Sequence, residues 1–233
     1  MAFWSVQLRE TVLDFLFPRH CVGCGKTGNF LCQDCYQKLP RIVPPICQKC
    51  GKPESTGALC SSCWGWQSQI DGIRSPFRFE GVIRQAIHEL KYRNLKAVAG
   101  RLAELLFNYF QVNPVPGEVL VSVPLHNRRL RQRGYNQSNL MVKELSKLIA
   151  FPVVEGCLIR LKDSPPQART GTVDDRRRNV VDAFTCVDER LSGRHVLLVD
   201  DVCTSGVTLE ACATALKSAG ALSVWGLTLA RET

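Results

Sequence analysis

The stretch HVLLVDDVCTSGVTLEACATALKSAG, from His195 to Gly220, decides the fold. Val196 to Val199 is an apolar run of the kind buried in a parallel sheet. It ends in two adjacent acids, Asp200 and Asp201. A short hydroxyl-rich segment with one glycine follows: Thr204, Ser205, Gly206, Val207 and Thr208. Leu209, Cys212, Ala213 and Leu216 then recur at helical spacing. Lys217 falls in the last turn and Gly220 just past it, as helix C-termini favour. A strand, a small loop and a helix N-terminus suit a phosphate, because N–H groups without intrahelical acceptors converge there with the positive end of the dipole. The chain contains no GxxxxGK[ST], so it has no Walker loop, and GxGxxG occurs only at Gly23–Gly28, among closely spaced cysteines rather than between a strand and a helix, so it is no dinucleotide fingerprint. Two carboxylates beside a phosphate cradle would repel the phosphate. They are expected to face sugar hydroxyls, directly or through a divalent cation. A ribose 5-phosphate with a free vicinal diol satisfies both halves.

VLLVDDVCTSGVT resembles the 5-phosphoribosyl-1-pyrophosphate (PRPP) binding motif of the type I phosphoribosyltransferases. The resemblance implies an α/β fold with a Rossmann-like, mostly parallel sheet. It also implies that Asp200, Asp201 and the run Thr204, Ser205, Gly206, Val207 and Thr208 bind PRPP, with Mg2+ as companion ion.

Outward from that stretch, the 233 residues exceed one average domain. The composition, 45% hydrophobic and 22% charged, is that of a globular protein. The net charge of +9 suits an anionic ligand, a nucleic acid, or both. Residues 1–18 read as an N-terminal helix, with Ser5 as cap, Leu8, Val12, Phe15 and Leu16 on one side, and Pro18 as terminator. Arg9, Glu10 and Asp14 interrupt its apolar residues, so it is not expected to be a signal peptide. No run approaches 18 uninterrupted apolar residues, and membrane insertion is not expected.

Eight of the twelve cysteines lie between Cys21 and Cys63, in four CxxC pairs: Cys21/Cys24, Cys32/Cys35, Cys47/Cys50 and Cys60/Cys63. Gly25 and Gly51 follow two of these pairs and permit the tight turn that aims two thiolates at one metal. Without a secretion signal, disulfides are disfavoured and the expected cytoplasmic setting fits thiolates. The spacing predicts two zinc ribbons over residues 19–66, each with a closed four-cysteine structural Zn2+ site. Sequential pairing puts Cys21, Cys24, Cys32 and Cys35 in one site and Cys47, Cys50, Cys60 and Cys63 in the other; a cross-braced arrangement also fits the spacing. Leu39–Pro45 reads as a stiff linker between the ribbons. Trp64 and Trp66 are expected to pack the small ribbon core rather than stack on bases.

From residue 70 to 233 the pattern is α/β. IDGIRSPFRF (70–79) reads as a strand pair or extended edge. GVIRQAIHELKY (81–92) is helical, with Ile83, Ile87 and Leu90 on one stripe, and Leu95–Tyr109 repeats the pattern with Leu102, Leu105 and Leu106. Glu118–Val123 is an apolar strand, followed by a basic segment with Arg128, Arg129, Arg131 and Arg133. Arginines just past a strand's carboxyl end are placed to bind phosphates. Residues 135–150 form another helix and 157–161 lead into a long polar stretch, about 162–180. A loop of that length in a compact domain is usually functional. Residues 222–230 close the unit as a strand.

Several blocks also resemble the ComF family (ComF/GntX-type): Gly81, Arg84, Ile87, His88, Leu90, Lys91 and Tyr92; Pro124, Arg128 and RGYNQ (Arg133–Gln137); and Gln167, Arg176, Asn179, Ala183 and Phe184. Members of that family join an N-terminal zinc finger to a phosphoribosyltransferase domain. What the resemblance implies is a glycosyltransferase-type site in which Arg128, Arg129, Arg133 and Lys91 meet the pyrophosphate. Gln167, Arg176 and Asn179 would lie on a loop closing over PRPP, which excludes water from an oxocarbenium-like centre. It further implies a role in natural transformation, DNA uptake or DNA utilisation, with single-stranded DNA and other DNA-uptake proteins as partners. His88 reads as a solvated helical histidine. One departure from the purine enzymes stands out: where they carry the aspartate that serves the purine as base, this chain has Thr204. No catalytic base is identifiable, so the acceptor stays open, and a PRPP-sensing or DNA-binding adaptor without chemistry is the alternative.

Overall fold

A computed structural model describes residues 18–65, 67–162 and 183–233. In chain order its elements are α1 (Gln33–Gln37), β1 (Gly72–Arg74), β2 (Phe77–Arg78), α2 (Gly81–Tyr92), α3 (Val98–Val112), β3 (Val119–Ser122), α4 (Asn127–Arg133), α5 (Gln137–Ile149), β4 (Leu158–Arg160), β5 (Phe184–Cys186), β6 (His195–Cys203), α6 (Val207–Ser218) and β7 (Ser223–Arg231). The expected N-terminal helix, Trp66 and nearly all of the long polar stretch, with Gln167, Arg176 and Asn179, lie outside the described residues.

The apolar run around Val196–Val199 forms the middle of a sheet. β6 pairs with β3 on one side and β7 on the other, and β7 pairs with β1 and β2 at the far edge. Every one of these pairings is parallel. A further parallel bridge, Leu120 to Val153, prolongs the sheet beyond β3. Because side chains alternate along a strand, both faces are covered. Leu120, Leu197, Val199, Leu227 and Leu229 pack with Ile83, Leu102 and Leu145 of α2, α3 and α5. Val119, Val121, Val196, Leu198 and Val224 pack with Leu209, Cys212 and Leu216 of α6 and Phe184 of β5. The result is a parallel α/β unit with helices on both faces, preceded by a small cysteine-rich unit.

One expectation is corrected, and three features go beyond the sequence reading. β6 does not stop at the acids but runs on to Cys203, held to β7 by the pairs Val202–Ala230 and Cys203–Arg231. The loop therefore shrinks to Thr204–Gly206, and Val207 and Thr208 are already helical. The basic segment is a short helix, α4, started by the His126 imidazole accepting from the Arg128 amide and ended by left-handed Gly134. The stiff linker after Leu39 is also bonded to the sheet edge, since Ile42 N–H donates to Pro76 C=O and Arg78 N–H donates to Pro40 C=O. Those bonds lay the segment along β2 as extra edge. Finally, the 157–161 strand stays out of the main sheet; β4 pairs antiparallel with β5.

Candidate functional site

The paired acids sit near the C-terminal end of the central strand, and each is held by a different helix. Asp201 is buried, with 3% of its surface exposed. Its Oδ1 lies 2.7 Å from the Lys91 ammonium, in the last turn of α2. Its Oδ2 is buried and has no hydrogen-bond partner among the described residues. Asp200 Oδ1 accepts from Ser138 Oγ at 2.7 Å and from the Asp201 amide at 2.9 Å. Burial, and then the neighbouring Asp201 charge, push the Asp200 carboxyl up to about 7, against the Ser138 hydrogen bond and the Lys91 charge. Ser138 is in place because Asn136 caps α5, its Oδ1 accepting from the Ser138 and Asn139 amides while its Nδ2 donates to Val123 C=O. That cap pins the helix to the end of β3.

Beyond Cys203 the chain turns in three residues. Gly206 adopts φ +82° and hands over to α6, whose first amides have no acceptor within the helix. A side chain at Gly206 would meet Ile73 Cδ1 at 3.2 Å as well as strain the backbone. Thr204 is exposed and Ser205 half-buried, so their side chains can reach a ligand. The Val207 side chain is buried, which leaves its backbone amide as its contribution.

The basic residues divide. Lys91 does not join the arginines but is committed to Asp201. Arg133 donates to Gln137 Oε1 and stacks its guanidinium 5.6 Å over the Tyr92 ring. Tyr135 donates its hydroxyl to Leu90 C=O, tying the end of α2 to the α4–α5 turn, and its ring carries the Lys96 ammonium at 4.8 Å. Arg128 and Arg129 lie on α4 past the end of β3. Tyr92 is 66% exposed and stands 4.8 Å from the His88 ring. His88 is exposed, as its sequence suggests.

The cysteines pair sequentially. Cys21, Cys24, Cys32 and Cys35 form one group and Cys47, Cys50, Cys60 and Cys63 the other, with the sulfurs of each group within 4.8 Å of one another. A zinc tetrahedron with Zn–S of about 2.3 Å has sulfur–sulfur edges of about 3.8 Å. Cys24–Cys32 at 3.6 Å and Cys50–Cys60 at 3.7 Å match that edge. Cys32 N–H points at Cys21 Sγ and Cys60 N–H at Cys47 Sγ, both at 3.4 Å. Burial opposes charge on Cys47, but the amides of Cys60, Cys50 and Lys49 overcome it and bring the thiol down to about 6. Burial and neighbouring thiols instead push Cys35 up to about 12 and Cys63 higher still. Four thiolates this crowded need a cation, and the donor set is that of structural zinc with no open position. Trp64 corrects an expectation: it is 78% exposed and does not pack the ribbon core.

Ser138, Ile73 and Arg231 escaped the sequence reading. Ser138 had a signal, since it follows the cap residue Asn136. Arg231 had one too, as a lone charge ending a continuous apolar strand. Ile73 had none.

The comparisons with known proteins agree with this geometry. Residues 12–64 match the double zinc ribbon domain family and residues 159–232 the phosphoribosyl transferase domain family. The chain is similar to "Competence protein ComFC" of Bacillus subtilis, 29% identical over 215 residues, which span 89% of this chain and 86% of that protein. It is similar to "DNA utilization protein YhgH" of Escherichia coli, 29% identical over 209 residues, 84% and 89% of the two chains. With "Competence protein F" of Haemophilus influenzae the identity is 30% over 227 residues, covering 91% of this chain and 97% of that one. Two four-cysteine ribbons, a parallel sheet ending in paired acids and this end-to-end similarity have one common explanation: the chain belongs to the ComF family.

Proposed function

We propose that this protein binds PRPP with Mg2+ at the C-terminal ends of β6 and β3 and transfers its phosphoribosyl group, acting in DNA uptake or utilisation in the cytoplasm. The observation that carries the reading is the Asp200–Asp201 pair near the end of β6, followed by the three-residue loop Thr204–Gly206 and the α6 N-terminus at Val207. The α6 amides and the Thr204 and Ser205 hydroxyls take the 5-phosphate. The two acids take the ribose hydroxyls. Arg128, Arg129 and Arg133 face the pyrophosphate, whose charge Mg2+ neutralises when bound. In the reaction an acceptor nucleophile forms a bond to C1 of the ribose as the C1–O bond to pyrophosphate breaks, the leaving group carrying away the electron pair.

Single-stranded DNA is proposed as partner. Tyr92 supports this reading: an exposed ring flanked by the Arg133 guanidinium and the His88 imidazole is a stacking surface for a base, and α4 supplies charge for phosphates. One observation favours a second reading, a PRPP-sensing adaptor without chemistry. At the loop position where purine enzymes hold their base stands Thr204, which cannot accept a proton at neutral pH.

A calorimetric titration with Mg2+ and PRPP, followed by assay of the same sample for pyrophosphate release with single-stranded DNA and free bases, tests both. Binding with release is the expected result and identifies the acceptor class. Binding without release establishes the sensor. Absence of binding overturns both readings.

A further inference from the structure

Asp201 presents an unusual combination. One carboxylate oxygen is already neutralised by a cation of the protein, Lys91 Nζ at 2.7 Å, and the other is buried with no hydrogen-bond partner among the described residues. The Lys91 side chain is itself largely buried, 21% exposed, on a helix whose Ile87 and Leu90 are locked in the core. A divalent ion at Asp201 would stand within a few ångströms of that ammonium, in a desolvated setting where like charges repel strongly. Asp200 is no better placed for one. Its Oδ1 is saturated by Ser138 Oγ and the Asp201 amide. Burial and the neighbouring Asp201 charge push its carboxyl up to about 7, which adds to the cost of charging it. What Asp201 Oδ2 lacks is a hydrogen-bond donor. A buried acceptor without a donor costs stability until a ligand provides one.

Resting on the PRPP reading above, we propose that Lys91 is a specificity-determining residue: it takes the place of a metal at Asp201, so that the acid pair receives the vicinal ribose hydroxyls directly. Mg2+ then belongs to the pyrophosphate alone. Ribose 5-phosphate, which has the diol and the 5-phosphate but no pyrophosphate, binds without any divalent ion. The same geometry discriminates against 2-deoxyribose, which leaves one carboxylate oxygen unpaired. A deoxyribonucleotide of DNA therefore meets the protein elsewhere than in this site.

The test is calorimetric titration of the full, zinc-loaded chain with ribose 5-phosphate at two Mg2+ levels, zero (metal-free buffer) and millimolar. Mg2+ with PRPP is the reference ligand and 2-deoxyribose 5-phosphate the control. The expected result is a ribose 5-phosphate affinity that changes less than about 3-fold with Mg2+ and falls about 10-fold or more for the deoxy sugar. Lys91→Met is expected to weaken ribose 5-phosphate about 10-fold or more in metal-free buffer and to regain part of that with Mg2+. Lys91→Arg, which keeps the charge, is expected to stay metal-independent. Circular dichroism and zinc content establish that each variant is folded, and if Lys91→Met is not, Lys91→Arg and the wild-type titrations decide. If Mg2+ with PRPP binds but ribose 5-phosphate needs Mg2+, or does not bind at all, the Lys91 inference is overturned and the PRPP reading stands. If neither ligand binds under any condition, the PRPP reading fails and the inference with it.

Discussion

The two ribbons are built alike and embedded differently. In each, the first cysteine's amide donates to a lysine carbonyl five residues on, Lys26 or Lys52, and the glycine of CxxCG returns a bond to that cysteine's carbonyl. In each, a cysteine of the second pair donates its amide to the first cysteine's sulfur. Their surroundings diverge. The first ribbon rests on the α/β unit by side chains: Leu31 and Leu39 join the core beneath α2 and α3, Gly23 abuts Val82, and Cys24 stays exposed. The second is fastened by its backbone. Lys49 C=O accepts from Ile73 N–H, Gln48 C=O from the Arg74 guanidinium, and Cys50 C=O from buried Arg231. All four of its cysteines are buried. Ile73 in turn reaches Gly206, the hinge into α6. Identical metal chemistry thus serves two ends. One ribbon covers a helical face, and the other completes the sheet edge under the Thr204–Gly206 loop.

The largest expected difference follows from removing one thiolate. Structural zinc in small ribbons contributes about 10–16 kcal/mol of apparent binding energy, which is folding energy for what it holds. Cys50→Ser should lower the thermal midpoint of the whole chain by about 10 °C or more and weaken binding of Mg2+ with PRPP. Cys24→Ser should lose one zinc equivalent yet leave the main transition within about 3 °C. Thermal unfolding by circular dichroism, with zinc content measured on each variant, checks this, and equal shifts would erase the distinction between the ribbons. Chelation gives the same comparison in time. The site with the exposed cysteine should release its metal first, in two phases of similar amplitude followed by a zinc-sensitive dye, and only the second should perturb ligand binding. One single phase would mean that the two ribbons open together.

Arg231 tests the attachment without touching a metal ligand. Its side chain is 1% exposed, and its charge works against the burial that pushes up the thiols of Cys50 and, at the end of β6, Cys203. Arg231→Met removes a charged donor and leaves the Cys50 carbonyl unpaired. The expected cost is about 2–3 kcal/mol in urea unfolding, with faster metal loss confined to the second site. Unchanged metal release would reduce Arg231 to ordinary packing.

These embeddings explain what the sequence reveals and what it hides. Local chemistry is legible. Four CxxC pairs announce the ribbons, Val196–Val199 announces the central strand, and Ile83, Ile87 and Leu90 announce α2, because spacing alone sets which residues share a turn or a face. Cross-chain partners are not legible. Lys91 reads as one more cation in a basic protein until α2 is laid beside β6, where it meets Asp201. Ser138 reads as a helix residue until Asn136 fixes α5 against β3. The end of β6 is misread for a related reason: acids and hydroxyls argue for a loop, but the ladder to β7 holds the backbone through Cys203 against that local preference.

The smallest and cleanest contrast lies in the two CxxCG glycines. Gly25 and Gly51 have nearly the same backbone, φ +77° and +72°. A methyl at either pays the left-handed penalty of about 1–2 kcal/mol. There the likeness ends, because a Cβ at Gly25 meets nothing within 4 Å, whereas one at Gly51 would lie 2.5 Å from the Ile73 carbonyl oxygen. That oxygen is backbone, fixed in the edge strand, and cannot rotate away. Gly25→Ala should therefore cost only the conformational penalty, while Gly51→Ala should cost about 1–3 kcal/mol more through displacement of β1. Because Ile73 underlies Gly206, the same displacement should loosen phosphate binding in Gly51→Ala and leave it untouched in Gly25→Ala. Urea unfolding and a titration with ribose 5-phosphate on the two variants measure both. Equal costs would show that the second ribbon only leans on the sheet edge, and a greater cost at Gly25 would reverse the assignment of which ribbon supports the site.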